Sequence, residues 1–188
     1  MIYNIFHKNK LLIIILCISL TYCINLYSNT IGESTGYKIP RFVSLQSNES
    51  NLRIGPRIDF PIILKYNKKN FPVEIIDESG QWRQTKDIEG NVGWMHESLF
   101  QGDRYGLINT KHGEGAQILF KPEGKVKWEI GNNNIVKINK CILKWCNINY
   151  KNKHGWINKI NLWGIYQNEK FNIPFYQSII NFIWQLTN

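Results

Sequence analysis

Asn51-Leu52-Arg53-Ile54-Gly55-Pro56 begins a run that ends in Gly90-Asn91-Val92-Gly93-Trp94-Met95-His96, and the architecture of the chain follows from what lies between. Short apolar segments with alternation come first as Phe71-Pro72-Val73-Glu74-Ile75-Ile76 and then as Trp82-Arg83-Gln84-Thr85. Each is bounded by turn residues: Lys68-Lys69-Asn70, Glu78-Ser79-Gly80-Gln81 and Asp87-Ile88-Glu89-Gly90-Asn91. Short β-rich runs broken about every ten residues by Gly, Asn and Asp predict a small all-β barrel.

The Asn-Leu-Arg-x-Gly-Pro opening, the lone Trp82 and the Gly-x-x-Gly-Trp-Met ending resemble the bacterial SH3 (SH3b) domain family. One departure is Asn70, which stands where the family usually carries Gly after a basic pair. Asn is the next-best residue for left-handed backbone, so the turn is expected to survive.

The frame recurs downstream. Val73 lies nine residues before Trp82, and Val136 nine before Trp145. Gly93-Trp94-Met95 returns as Gly155-Trp156-Ile157, and Gly102 and Gly164 each follow their tryptophan by eight residues. Only the distal hairpin differs, by one residue. This is a duplication. The second copy has drifted at its front, where Gly115-Ala116-Gln117-Ile118-Leu119-Phe120-Lys121-Pro122 replaces the Asn-x-Arg-x-Gly-Pro opening and the Arg is gone. It resembles the divergent second repeat of secreted bacterial proteins with tandem copies. A ligand site that needs Arg53 would then be missing from the second barrel.

The predicted fold is therefore all-β: two tandem small SH3-like barrels, at residues 43–102 and 103–164. A signal peptide or signal anchor covers 1–28, a linker 29–42, and an amphipathic C-terminal tail 165–188. Alternation puts Val73, Ile75, Val136 and Ile138 inside the barrels. Trp94 and Trp156 are expected to be packed in the interiors, with Trp82 and Trp145 partly exposed at hairpin ends.

The N-terminal segment has His7-Lys8-Asn9-Lys10 ahead of Leu11-Leu12-Ile13-Ile14-Ile15-Leu16-Cys17-Ile18-Ser19-Leu20, the pattern of an export signal. No clean small-x-small cleavage site follows, which leaves an uncleaved inner-membrane anchor as the alternative. Tyr22 is too bulky for Cys23 to belong to a lipoprotein signal. Either way the expected location is the periplasm or cell envelope. In the tail, Pro174 suits a first helical turn, and residues 175, 176, 179, 180, 183 and 186 form an apolar stripe. It reads as a short helix, docked on the second barrel or lying on a membrane surface or partner.

Cys141 and Cys146 sit across a tight connection between two predicted strands. Four intervening residues allow the Cα approach a disulfide needs, and an exported chain meets an oxidising compartment. A Cys spaced in this way before Trp-Cys also resembles the second repeat of the family. The competing reading, a catalytic Cys with His154 or His112, has no surrounding peptidase or transpeptidase motif.

With 188 residues and a net charge of +9, the chain invites a nucleic-acid reading. Its lysines are scattered with no run of five or six, which disfavours nucleic acid as a partner. No metal-ligand spacing, nucleotide loop or nucleophile elbow is present, so no cofactor, metal or enzymatic activity is expected. The expected function is a non-catalytic binding module. Its candidate ligand residues are Arg53, Asp59, Trp82 and His96, with Tyr66 and Trp94 as a floor. By family resemblance the ligand is a cell-wall (peptidoglycan) peptide or an envelope protein. The alternative is an adaptor that holds an envelope enzyme or membrane complex through its barrels and C-terminal helix. For Arg53, bracing the first loop from within competes with ligand contact.

Overall fold

A computed structural model describes residues 30–172. The predicted export segment and the helix over the apolar tail lie outside the described residues.

Two seven-stranded antiparallel sheets follow one another along the chain. The first contains β1 (Arg41–Leu45), β2 (Ser50–Arg53), β3 (Ile62–Tyr66), β4 (Pro72–Ser79), β5 (Trp82–Lys86), β6 (Val92–His96) and β7 (Phe100–Gln101). The second contains β8 (Tyr105–Ile108), β9 (Ala116–Leu119), β10 (Val126–Ile130), β11 (Ile135–Ile142), β12 (Trp145–Tyr150), β13 (Lys153–Asn158) and β14 (Leu162–Trp163). Their spatial orders are the same: β3-β2-β6-β5-β4-β1-β7 and β10-β9-β13-β12-β11-β8-β14. One turn of 3-10 helix precedes the last strand in each, Glu97–Leu99 and Lys159–Asn161. The chain is all-β and tandem, as the duplicated frame predicts. The two edges of each sheet are not joined by a ladder, so each is a curled open sheet and not a closed barrel.

Both copies curl at the same places. In the first, pairing slips between Ile75 and Asp77 and between Leu52 and Arg53; in the second, between Ile138 and Lys140 and between Ile118 and Leu119. An extra residue in one strand bends it and sharpens its twist. Ile76, irregular in the sequence pattern, is the extra residue of β4. The bends bring Leu45, Leu52, Tyr66, Val73 and Met95 into one cluster. Ile108, Ile118, Val136, Ile138, Ile148 and Ile157 do the same in the second copy. Asn70 does adopt the left-handed backbone, with φ of 67°.

Trp94 and Trp156 correct an expectation. They are half-buried and lie on the outer face, while Met95 and Ile157 are fully buried. Side chains alternate along a strand, and the inward position before each tryptophan must be glycine. A Cβ on Gly93 would sit 2.7 Å from the Arg53 carbonyl oxygen and from Leu52 Cγ; one on Gly155 would sit 2.3 Å from Ile118 Cγ2. Gly faces in because β2 and β9 cross closely there, and that turns the next residue out.

The sheets share a packed seam. Phe42 of β1 meets Trp163 edge-on at 4.9 Å and Tyr166 at 4.7 Å. The Tyr105 N–H donates to the buried Ser44 Oγ (3.0 Å), and the Tyr166 hydroxyl donates to Glu74 Oε1 (2.7 Å). Burial raises the Tyr166 phenol pKa, and the Glu74 hydrogen bond raises it further. Beyond the seam, Lys159 is fully buried, donating to the carbonyls of Gln167 (3.2 Å) and Glu169 (2.5 Å).

Residues ahead of β1, within the stretch read as linker, are tied to the first sheet through Glu78. Its carboxylate accepts from Ser34 N–H, Thr35 N–H, Thr35 Oγ1 and Arg41 Nη2. Burial pushes this carboxyl pKa up, but the hydrogen bonds from Arg41 and Thr35 outweigh it and hold it below its ordinary value.

Candidate functional site

A groove of about 850 Å³ lies on the first sheet, and it gathers four of the six predicted ligand residues: Arg53, Asp59, Trp82 and His96. Each arrives by a separate local rule. Arg53 ends β2 just after the slip in pairing and lies opposite Trp94. Trp82 begins β5 and is paired with His96, the last residue of β6. Asp59 sits in the connection between β2 and β3.

The His96 ring is held on both sides. Its Nδ1 accepts the Ser98 N–H (3.2 Å), capping the 3-10 turn, and lies 2.7 Å from Ser98 Oγ. With Nδ1 accepting, the neutral ring carries its proton on Nε2, which faces Gln81 Oε1 at 3.4 Å. The ring meets Trp82 edge to face, with centroids 5.5 Å apart.

Arg53 braces the loop ahead of β3: its Nη1 donates to the Phe60 carbonyl at 2.7 Å. Among the described residues it makes no ion pair. Asp59 is instead paired with Arg57, through two contacts of 3.0 and 2.6 Å. Both partners are largely exposed, and ion pairs in that setting contribute little. A ligand group can therefore displace either one at small cost.

Tyr66 and Trp94 do not line the groove. Tyr66 is buried, and its hydroxyl donates to Asp87 Oδ2 at 2.9 Å. Burial and then the Asp87 carboxylate push its pKa up. Asp87 in turn accepts from the Glu89 and Asn91 N–H groups and Asn91 Nδ2, so Tyr66 anchors the distal hairpin. Glu49, Asn51, Arg57, Ile58, Gln81, Ser98 and Leu99 complete the lining and were missed in the sequence. Arg57-x-Asp59 and the Gln81-Trp82 step were the available signals.

The second sheet carries a groove of about 760 Å³ lined by Gln117, Leu119, Trp145, Asn158, Ile160 and Asn161, among others. These positions match those of the first groove. Trp145 pairs with Asn158 as Trp82 pairs with His96, and Leu119 lies opposite Trp156 as Arg53 lies opposite Trp94. The arginine is lost, as expected, but the groove is retained.

Cys141 and Cys146, directly opposed in the β11–β12 ladder, form a disulfide and are fully buried. Phe171 adds a bridge on the other side of Cys141 through two backbone hydrogen bonds.

No curated protein matches the sequence significantly. Among solved structures the chain is similar to NlpC1 from Trichomonas vaginalis (16% identity, TM-score 0.29, covering 70% of this chain and 48% of that one). It is also similar to NlpC2 from Trichomonas vaginalis (13% identity, TM-score 0.31, 71% and 51%). The chain thus spans about half the length of each. The bacterial SH3 domain family matches residues 46–102 and 121–164, one match on each sheet, and the chain belongs to that family.

Proposed function

We propose that the protein is a non-catalytic binding module of the cell envelope, and that the first groove takes an extended cell-wall peptide. The supporting observation is the convergence of Trp82, Arg53, His96 and the weakly paired Arg57 and Asp59 on one groove. An extended peptide offers main-chain amides, an apolar face and charged ends. A groove with one aromatic wall and both signs of charge suits all three. Arg57 would meet a carboxylate, with Asp59 meeting an amine. The disulfide fits a location outside the cytoplasm.

Pull-down with purified sacculi tests this reading. Binding that is lost in Trp82→Ala supports it. Retention of a detergent-stable protein partner with no sacculus binding would favour the adaptor role. The exposed Ile58 of the groove lining, with the exposed Ile54, Ile62 and Ile63 of the β2–β3 region, is the surface such a partner would cover. Turnover of wall fragments by the protein would overturn the non-catalytic part.

A further inference from the structure

The two grooves occupy equivalent places but differ where a ligand would sit deepest. In the first, the half-buried lining residues include Arg53 and His96 beside Trp82. In the second, the half-buried residues Leu119, Trp145, Asn158 and Asn161 are all uncharged. The charged groups there, Lys111, Glu114 and Glu129, are exposed.

Asn158 shows what the floor offers. Its Oδ1 accepts the Ile160 N–H at 3.1 Å to cap the second 3-10 turn. The Nδ2 group makes no hydrogen bond to another described residue, so two N–H donors beside Trp145 are available to a ligand. Asn161 adds an amide that both donates and accepts, while Gln117 Nε2 donates to the exposed Glu129 carboxylate at 3.4 Å and leaves its Oε1 as an acceptor. Trp145 also borders a second cavity of about 410 Å³, which presents the amides of Asn168 and of Gln167 (its Nε2 donating to the Lys159 carbonyl at 3.1 Å) and the exposed charged groups of Glu123, Lys144 and Lys170. The indole therefore stands between two adjoining hollows, each with side-chain amides.

We infer that the second groove is a distinct binding site for a neutral, polyhydroxylated ligand, a saccharide of more than one ring, stacked on Trp145. A sugar ring has an apolar C–H face that covers an indole, and hydroxyls at its edge that pair with amides. A charged peptide end would find no opposite charge on this floor and would lose hydration on entering. The two hollows flanking Trp145 accommodate successive rings. This assignment is independent of the peptide reading of the first groove, because a different tryptophan reports on it.

The test is a titration of the full-length chain with the tetrasaccharide of N-acetylglucosamine and, separately, with maltotetraose, followed by the indole N–H resonances. Saturable movement of the Trp145 resonance by at least one probe, with a Kd of order 1 mM or below, is expected. Binding should be insensitive to added salt, because no charge pairing drives it. Asn158→Asp keeps the capping oxygen and removes the donors, so the fold is preserved while affinity falls about tenfold. No movement of Trp145 at about 10 mM of either probe would overturn the assignment. So would movement of Trp82 alone, or undiminished binding in Asn158→Asp.

Discussion

Glu78 and Arg83 face each other on the rung of the first sheet that Cys141 and Cys146 occupy in the second. Arg83 Nε lies 3.8 Å from Glu78 Oε1, and both side chains are almost fully buried. One copy of the fold closes this hairpin with an ion pair and the other with a covalent bond. The ion pair does more, because Glu78 also holds residues 34–41 while Arg83 reaches on to Glu97 at 2.5 Å.

Glu78→Gln should therefore destabilise the first sheet by about 2–4 kcal/mol, since it leaves buried guanidinium groups short of a countercharge. Denaturant unfolding measures the loss. Hydrogen exchange should show residues 32–37 released first.

The same carboxylate makes stability depend on acid. Its folded pKa lies below the unfolded one, so its contribution is present in full above the unfolded value. That contribution is lost as pH falls through the folded value. Melting temperature should drop on acidification below about pH 4.3, the ordinary Glu value, and less steeply in Glu78→Gln.

Removing the disulfide by Cys141→Ala together with Cys146→Ala should cost about 2 kcal/mol, as expected for a loop this short. The exchange of β11 and β12 amides should quicken while β4 and β5 are unchanged. An unchanged melting temperature would show the bridge to be dispensable for stability.

Arg53→Ala removes the donor to the Phe60 carbonyl and should cost about 1 kcal/mol. Its larger effect should fall on sacculus binding. The loop carrying Arg57 and Asp59 would no longer be held beside Trp82. Arg53→Lys should restore the contact only in part, because an ammonium lacks the planar fork.

Much of this was legible in the chain because the repeat spacing and period-two alternation report directly on backbone geometry. Val73, Ile75, Val136 and Ile138 are inside for that reason. The same alternation, counted from Met95 and not from the bulkiest residue, places Trp94 outside. Size suggested a core tryptophan, but the close crossing of β2 over Gly93 decided the face. Four groove residues were legible because each flanks a recognisable turn or strand end. Tyr66 was not separable from them, since its partner Asp87 is distant in sequence and a buried phenol looks like an exposed one in a string of letters. The second groove was hidden because its best marker in the first copy, arginine, is replaced by Leu119.

The seam between Phe42, Trp163 and Tyr166 has a consequence for how such duplicated chains evolve. Cutting after Gly102 would expose Phe42, Trp163 and Tyr166 to water and remove the Tyr105 N–H from Ser44, so each half should be less stable alone than in the pair. The pair, and not the single copy, is then the unit that is inherited.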